Sequence, residues 1–298
     1  MIYQQPLAYL LGIEGLALLR AWAGDYDEDF VQARLAEVRQ LLDEPLLAGH
    51  PGVSVARGSL EAGYQQWSES YDEPRNGLFD LDEPFMYEIL DGLPTGVALD
   101  AACGTGRFAS YLVQHAHHVI GVDSSPDMLT VARRRVPSAE FLLGELDELP
   151  VADDSADIVT CALALSHLSS LGPAMAEFAR VLRPGGHLVI SDVHAELILR
   201  GSVVQALGPA DEPGLVPTFR HSTGDYLRAA LSAGLVVRRC EEPWLHDGES
   251  EEYPAPEPGH MEPGPWGDWP WTLMWLIPDV IRALGDPILI LWHFQMPE

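Results

Sequence analysis

The chain has 298 residues, of which 47% are hydrophobic, and its 17 Lys and Arg stand against 45 Asp and Glu for a formal net charge of −28. Because it contains no lysine, every side chain of fixed positive charge is an arginine. This balance argues against nucleic-acid and anionic-membrane partners, and it excludes Schiff-base chemistry and the phosphate-binding lysine of a P-loop. The acidity is typical of a solvated surface, with attraction of a cationic substrate as the alternative.

The cysteines and the hydrophobic runs predict a cytoplasmic protein. Three scattered cysteines, Cys103, Cys161 and Cys240, form neither a disulfide framework nor a CxxC metal pair. The apolar run at 9–23 contains Glu14 and Arg20, and we expect it to be too short for a membrane span or a signal peptide.

Apolar spacing predicts helices first, followed by strands that alternate with helices. Two helices are expected before residue 48, then a loop at 49–58 and helical segments at 59–70 and 83–90. The predicted strands are 97–101, 118–122, 139–143, 156–163, 187–191, 235–240 and 287–294. The predicted helices among them are 106–116, 126–135, 173–182, 222–233 and the Trp-rich 271–284.

Short apolar strands separated by helices indicate an α/β fold with a parallel sheet covered on both faces. We predict a Rossmann-like, doubly wound, mostly parallel seven-stranded sheet, with an N-terminal helical cap and an insertion before the last strand. Residues 1–58 are expected to form the helical segment, as a cap or a dimerisation element, and residues 59–298 the main domain. The long excursion at 242–284 is typical of a lid over a substrate site.

A glycine-rich turn follows the first strand of this alternating region. The segment from Ala98 to Ala109 (ALDAACGTGRFA) contains G-x-G-x-x-A, a spacing that also fits a dinucleotide fingerprint. Asp100 precedes the loop, where a carboxylate would repel a pyrophosphate and suits an ammonium group. Asp123 closes the next strand, where a carboxylate can accept hydrogen bonds from both ribose hydroxyls. The pattern therefore indicates a nucleoside with a cationic tail, as in S-adenosylmethionine.

At these residues the chain resembles the class I S-adenosylmethionine-dependent methyltransferases of the methyltransferase type 11 group, over about residues 60–192. Four motifs carry the resemblance in order: ALDAACGTGRFA, VIGVDSSPDML, FLLGELDELPVADDSADIVTCALALSHL and EFARVLRPGGHLVISD. The resemblance implies methyl transfer from S-adenosyl-L-methionine, and it makes residues 59–298 the methyltransferase domain.

The resemblance also implies roles for single residues. Gly104 and Gly106 would admit the methionine part of the cofactor, with Asp100 near its ammonium and Asp123 on the ribose. Glu145 stands where the family usually has aspartate, beside the adenine amine. The remaining cofactor residues implied are Ala101 in the first motif, Ser124, Met128 and Leu146 around the adenine, Ala162 near the methionine, and Tyr71. Tyr71 shares a helical face with Tyr64 and Trp67, a stripe that is equally typical of a core.

Methyl transfer requires alignment of the acceptor with the methyl group, and a base where the acceptor carries a proton. His167, His194 and His221 follow strands or precede a helix at the expected active edge and are the candidate bases, with hydrogen-bonded structural histidines as the alternative. Tyr226 is a weaker candidate. We expect no metal, because the HxHH cluster at 115–118 suits a helix end and the chain has a single asparagine.

The Trp-rich region predicts where an apolar acceptor could bind, with packing or a dimer interface as the alternatives. We therefore expect an enzyme that methylates oxygen or nitrogen, less readily carbon, of a small molecule, in secondary metabolism or elsewhere. The alternative function is a cofactor-binding protein without methyl transfer. Neither nucleic acid nor membrane is an expected partner, and a homodimer remains open.

Overall fold

The computed structural model describes residues 2–68, 71–72, 77–208, 210, 212–244, 261–285 and 287–298. The chain divides into two compact units. The helical unit comprises Met1–Gly58, Leu199–Leu215 and Trp244–Asp286, and the sheet unit comprises Ser59–Ile198, Val216–Pro243 and Pro287–Glu298. Each unit is continuous in space but discontinuous in sequence.

The described helices are α1 (Pro6–Ala23), α2 (Glu28–Asp43), α3 (Pro45–Ala48), α4 (Leu60–Trp67), α5 (Gly77–Asp91), α6 (Arg107–Gln114), α7 (Pro126–Arg135), α8 (Gly172–Val181), α9 (Ala195–Leu199), α10 (Thr223–Ser232), α11 (Trp271–Met274) and α12 (Pro278–Leu284). Two short 3-10 turns lie at Leu165–His167 and Trp266–Asp268. The strands are β1 (Ile2–Gln4), β2 (Val53–Arg57), β3 (Val97–Ala101), β4 (His118–Asp123), β5 (Glu140–Leu143), β6 (Ala156–Ala162), β7 (Leu182–Val193), β8 (Gln205–Leu207), β9 (Pro213–Leu215), β10 (Val236–Glu241) and β11 (Leu289–Gln295).

The sheet unit is built on a seven-stranded sheet in the order β10-β11-β7-β6-β3-β4-β5. Strands β3 to β7 run parallel, and β11 is antiparallel to both of its neighbours. Helices α5, α6, α7 and α8 contact these strands. The predicted α/β class and the mostly parallel seven-stranded sheet are confirmed.

The core of the sheet unit explains why its strands lack polar alternation. The central strands carry fully buried side chains such as Leu99, Val159 and Ile190, and Phe178 of α8 and Tyr226 of α10 pack in the same cluster. Strands covered on both faces by helices bury side chains on both faces, so they appear as continuous apolar runs.

The helical unit has its own apolar core and a small four-stranded sheet in the order β1-β2-β9-β8. Helix α1 begins at Pro6, where the Gln5 side chain accepts a hydrogen bond from the Ala8 N–H, and it ends at Gly24 in the left-handed conformation. Leu10 and Ala17 of α1 are fully buried with Ile277 and Leu284. Among the residues that the structure describes, α1 is the one helix that would pass as a membrane span by length and composition (28% of that window is buried), a test that core helices and N-terminal signal sequences also pass.

The structure differs from the sequence prediction in this unit, because none of the four strands of the small sheet was predicted and one predicted helix is divided. The predicted loop at 49–58 contains strand β2, because Val55 pairs with Ile2 and Ala56 pairs with Gly214, partners too distant to show in a local pattern. The predicted helix 271–284 is two short helices, because Pro278 has no N–H to continue α11 and instead occupies the first turn of α12.

A buried acid joins α1 to α2 and gives a testable dependence of stability on pH. Glu14 is fully buried and accepts a hydrogen bond from Arg34 at 2.9 Å, yet its second oxygen has no partner among the described residues. Burial and the neighbouring Glu37 raise the pKa of Glu14 to about 8. The native state therefore holds a proton that the unfolded chain releases at lower pH, so stability should fall as pH rises from about 4.5 to about 8.

We expect Glu14→Gln to remove most of this decline, as measured by urea unfolding at pH 5 and pH 8. Glu28→Gln, an exposed change in the first turn of α2, is the matched control and should leave the decline intact. An equally steep decline in Glu14→Gln would show that Glu14 ionises normally in the folded protein.

Candidate functional site

The chain order of the parallel strands places a site between β3 and β6. From β3 the chain proceeds outward through β4 and β5, and it then returns to β6 on the other side of β3. The loops after β3 and β6 therefore diverge, which is where ligands bind in open α/β sheets. Ala102 and Leu163, the residues that follow these two strands, both have left-handed backbones with φ of 57° and 56°. Such strained non-glycine residues cluster at functional sites.

The glycine loop is fastened to the end of β4. The Gly104 N–H donates to Asp123 Oδ2 at 2.8 Å, and the Cys103 N–H donates to the Val122 carbonyl at 2.9 Å. Asp123 Oδ1 accepts from the Ser125 N–H at 2.8 Å, at the start of α7. One carboxylate therefore fixes both the loop and the following turn, and its remaining acceptor capacity is available to a ligand.

Asp100, near the end of β3, supports the same loop through hydrogen bonds to the start of α6 and to β6. It is 2% exposed, and its Oδ2 accepts from the Ala109 N–H in the first turn of α6 while its Oδ1 accepts from Thr160 at 2.9 Å. The N-cap residue Gly106 has no side chain to satisfy these N–H groups, so Asp100 does so instead. Burial raises the pKa of Asp100 to about 7, against the lowering effect of both hydrogen bonds.

A cavity of about 160 Å³ opens at this edge of the sheet. Seven of the eleven predicted cofactor residues line it: Tyr71, Gly104, Asp123, Ser124, Glu145, Leu146 and Ala162. The lining also includes Tyr64, Gly144, Leu163 and Ala164, which the sequence patterns placed with the cofactor residues. The lining residues without a predicted role are Leu60, Ala102, Asp147 and Leu168. Pockets for drug-sized ligands occupy about 300 Å³ or more, so cofactor binding requires side chains of this lining to move.

The other four predicted cofactor residues lie outside the lining. Asp100 and Ala101 are buried in β3, and Met128 is 1% exposed in α7. Gly106 approaches α7, where an added Cβ would lie 3.3 Å from the Cβ of Ala132. These four residues pack in or against β3 and α7, behind the cavity lining. Direct contact between them and a cofactor remains a prediction.

The three predicted bases are separated by the fold. His167 lines the cavity, and its Nδ1 lies 2.9 Å from the Pro217 carbonyl oxygen. His194 is 8% exposed, with Nδ1 accepting from the Glu196 N–H and Nε2 3.4 Å from Glu242. His221 donates from Nε2 to the Leu168 carbonyl and lines a different cavity, of about 660 Å³, beside α8 and α10.

A carbonyl oxygen only accepts hydrogen bonds, so His167 Nδ1 must carry the proton and the neutral ring keeps its lone pair on Nε2. His194 has the reverse tautomer, because its Nδ1 is an acceptor. Of the three, His167 is the one that combines a free lone pair with a position in the cavity lining.

The cavity is acidic. Asp123, Glu145 and Asp147 line it, and burial raises the pKa of both Asp123 and Glu145. The N–H groups of Ser125 and Gly104 counteract that rise at Asp123. A cationic ligand would relieve the mutual repulsion of these carboxylates, so the site suits a sulfonium or an ammonium group.

Substitutions of the two loop glycines should affect different properties, the stability of the fold at Gly106 and cofactor binding at Gly104. Both have positive φ, 52° at Gly104 and 83° at Gly106, but an added Cβ meets nothing within 4 Å at Gly104 and meets α7 at Gly106. We expect Gly106→Ala to cost about 1–3 kcal/mol of stability through strain and crowding. Gly104→Ala should cost about 1 kcal/mol for its left-handed backbone and should mainly weaken cofactor binding. Thermal unfolding and titration calorimetry on both variants test this, and equal affinity losses would refute it.

Comparison with known proteins agrees with this geometry. Residues 99–190 match the family described as Methyltransferase domain. Malonyl-[acyl-carrier protein] O-methyltransferase of Yersinia pestis is 35% identical over 142 residues, which are 47% of this chain and 52% of that protein. Demethylmenaquinone methyltransferase of Renibacterium salmoninarum is 35% identical over 107 residues, 36% of this chain and 45% of that protein. The chain thus spans about half the length of these curated relatives.

Solved structures show the same fold. The complex between the Haloferax volcanii Trm112 methyltransferase activator and its methyltransferase matches 79% of this chain and 98% of that one, with a TM-score of 0.54 and 21% identity. The fold is that of an α/β domain of the methyltransferase type. Residues 99–190 are thus similar to methyltransferase domains in both sequence and fold.

Proposed function

We propose that this protein transfers a methyl group from S-adenosylmethionine to an oxygen or nitrogen atom of a small molecule. The observation that carries the proposal is the meeting of three features in one cavity lining: the glycine loop, a ring of acids and His167. The first two suit the cofactor, and the third suits an acceptor that must lose a proton.

The residues present fit the cofactor. Asp123 has lone pairs for the ribose hydroxyls, and Gly104 leaves open space beside the loop. Glu145 and Leu146 would border the adenine, and Ala162 the methionine part. Tyr64 and Tyr71 of the adjoining segment line the same cavity and would cover the ligand. When bound, S-adenosylmethionine supplies a methyl group activated on a sulfonium.

His167 is proposed as the base. Its Nδ1–H is held by the Pro217 carbonyl, which orients the ring and leaves Nε2 to take a proton from the acceptor. Tyr64 packs edge-on against the same ring, with centroids 5.7 Å apart, and limits its rotation. The fixed ring would align acceptor and proton path, which is the main contribution that an enzyme makes to an in-line displacement.

The relatives support an oxygen acceptor without defining it. The Yersinia pestis protein is by name an O-methyltransferase of a malonyl group on acyl-carrier protein, whereas the Renibacterium protein acts on demethylmenaquinone. The match to the Methyltransferase domain family covers residues 99–190, so the segments outside this range are candidates for distinguishing one acceptor from another. We propose that the Trp-rich region and the excursion at 242–284 contribute to acceptor recognition.

In that region, Trp269 is buried while Trp244, Trp271 and Trp275 are exposed, and residues 245–260 of the excursion lie outside the described residues.

The homodimer, the absence of a membrane partner and the cytoplasmic location also stay predictions. Trp22 and Leu19 of α1 are 90% and 69% exposed and mark a face on which a dimer can be tested.

The test incubates the full chain with S-adenosylmethionine labelled in its methyl group and a panel of phenols, carboxylic acids, amines and a bacterial small-molecule extract. We expect label in an ether, ester or N-methyl product, and at least 100-fold slower transfer with His167→Gln, within the roughly 10²–10⁴-fold range for a general base. His115→Gln, a change at the exposed end of α6, is the matched control and should leave the rate unchanged. Cofactor binding without transfer to any of these would favour the binding-protein alternative.

A further inference from the structure

We infer that Arg135, with Asp72 as its partner, is a positioning residue for cofactor binding, which holds Tyr71 and the glycine loop together at one wall of the cavity. The inference rests on the proposed placement of S-adenosylmethionine in that cavity. None of the four sequence motifs points to this pair, because Asp72 lies before the first motif and Arg135 lies between the second and the third.

Arg135 is the last residue of α7, and its guanidinium donates hydrogen bonds in two directions. Its Nη1 donates to the Thr105 hydroxyl at 3.0 Å and to the Thr105 carbonyl at 3.3 Å, while its Nη2 donates to Asp72 Oδ2 at 2.6 Å. The Thr105 hydroxyl in turn donates to Asp72 Oδ1 at 3.2 Å. The three side chains therefore form a closed network that joins α7, the glycine loop and the segment before α5.

The network acts on the cavity through the neighbours of its members. Tyr71 precedes Asp72 and Gly104 precedes Thr105, and both of these neighbours line the cavity. Arg135, Asp72 and Thr105 lie outside that lining. A residue in this place can set the position of the cavity wall without touching the ligand, which makes Arg135 a positioning residue.

Tyr71 is held from its other side by aromatic packing. Its ring centroid lies 6.4 Å from that of Tyr64 in α4 and 6.0 Å from that of the buried Phe79 in α5. Such contacts leave a ring free to slide, because they lack the directionality of hydrogen bonds. The ion pair of the adjacent Asp72 supplies the fixed point.

The network differs from an ordinary surface ion pair. An isolated exposed pair contributes little, whereas here one planar guanidinium donates three hydrogen bonds in fixed directions. Thr105 is 2% exposed, and the side chains of Arg135 and Asp72 are 33% and 26% exposed. The glycine loop is thus fixed on one side by Asp123, at Gly104, and on the other side by Arg135.

The size of the cavity indicates what this fixation does for the cofactor. At about 160 Å³, the cavity is smaller than a nucleoside ligand requires, so its wall moves during entry and exit. A wall that returns to a hydrogen-bonded position over the ligand slows its departure. Loss of the network should therefore raise the dissociation rate more than it changes the association rate.

Charge alone predicts the opposite result for one variant. S-adenosylmethionine carries a net positive charge, and Arg135→Gln makes the surroundings of the acidic cavity more negative, which would tighten binding. S-adenosylhomocysteine has no net charge and would be unaffected. A positioning role instead predicts faster dissociation of both ligands to a similar extent.

The test measures association and dissociation rates of both ligands on the immobilised full chain by surface plasmon resonance. In Arg135→Gln we expect dissociation at least about tenfold faster and association within about twofold of the unaltered protein. Asp72→Asn keeps the shape of its side chain and should change the rates in the same direction. Arg134→Gln removes the same charge from the preceding exposed residue and is the matched control, with unchanged rates expected.

A double variant shows whether the two residues act together. Because Arg135 and Asp72 belong to one network, combining Arg135→Gln with Asp72→Asn should give dissociation no faster than the faster single variant. Thermal unfolding without ligand identifies a purely structural role, which would lower the melting temperature and leave the dissociation rates as they are.

Unchanged dissociation in both folded single variants would overturn the inference, and so would tighter binding of S-adenosylmethionine alone in Arg135→Gln. Failure of the proposed function is distinct, since it would be seen as a lack of methyl transfer by an unaltered protein that binds both ligands. Absence of binding by the unaltered protein would overturn the inference and the proposed function together.

Discussion

Asp123→Ala should lower the affinity for S-adenosylmethionine at least about 100-fold, since hydrogen bonds to a charged group contribute about 1.5–3 kcal/mol each and two ribose hydroxyls would lose their acceptor. The same change removes the two bonds that Asp123 accepts from the N–H groups of Gly104 and Ser125. The loop that admits the cofactor would therefore lose its anchor as well. Titration calorimetry with the cofactor measures the combined loss.

The matched control is Asp127→Ala, an exposed acid in the first turn of α7 that changes the net charge by the same amount. We expect its affinity to stay within about twofold of that of the original protein, since interactions between exposed charges are weak. Asp123→Asn keeps the shape of the side chain and should fall between the two. Affinity unchanged in Asp123→Ala would mean that the cofactor is held elsewhere.

Asp82→Ala should cost about 3 kcal/mol of unfolding free energy, because it removes the fully buried acid of the pair and leaves a partly buried arginine without its main partner. Arg107 donates to both oxygens of Asp82 at 2.7 Å, and Ser191 of β7 donates to Asp82 Oδ2 at 2.9 Å. The guanidinium also lies 4.0 Å from the ring centre of Phe79 and 4.3 Å from that of Phe108. The pair thereby ties α5 to the first turn of α6 and to the central sheet.

Two further variants separate the ion pair from the packing around it. Glu83→Ala removes the weaker partner of Arg107, at 3.2 Å, and should cost about 1 kcal/mol or less. Replacing both charges, in Asp82→Leu with Arg107→Met, should restore most of the stability lost in Asp82→Ala, since the desolvated cation is gone. Urea unfolding of the set measures these differences, and a double variant as unstable as Asp82→Ala would contradict the explanation.

The sequence was sufficient to predict the sheet and to place the glycine loop and Asp123 at one edge of it, because both depend on local patterns. Apolar runs of four to seven residues mark the strands, and the carboxyl ends of parallel strands meet at one edge. Asp123 could be placed at that edge from its position after β4 alone. The direction of a side chain could not be predicted in this way. Asp100 points into the protein because Thr160, on the neighbouring strand, donates a hydrogen bond to it.

The hydrogen-bond partners of the three histidines also could not be predicted from the sequence. All three follow or precede elements that end at the active edge, yet the hydrogen bonds that decide their roles come from Pro217, Glu196 and Leu168. The hydrogen bond from the Tyr226 hydroxyl to Asp192 was not predictable either, because the two residues are far apart in sequence. Strand β2 was missed for a related reason, since its partners are distant in sequence.

The decisive measurement is a crystal structure of the full chain with S-adenosylhomocysteine. We expect both ribose hydroxyls within hydrogen-bonding distance of Asp123, the glycine loop beside the amino-acid part, and the sulfur facing the His167 side of the cavity. Tyr64 and Tyr71 should shift to enclose the ligand. Adenosine bound away from Asp123, or a sulfur atom directed away from His167, would contradict it.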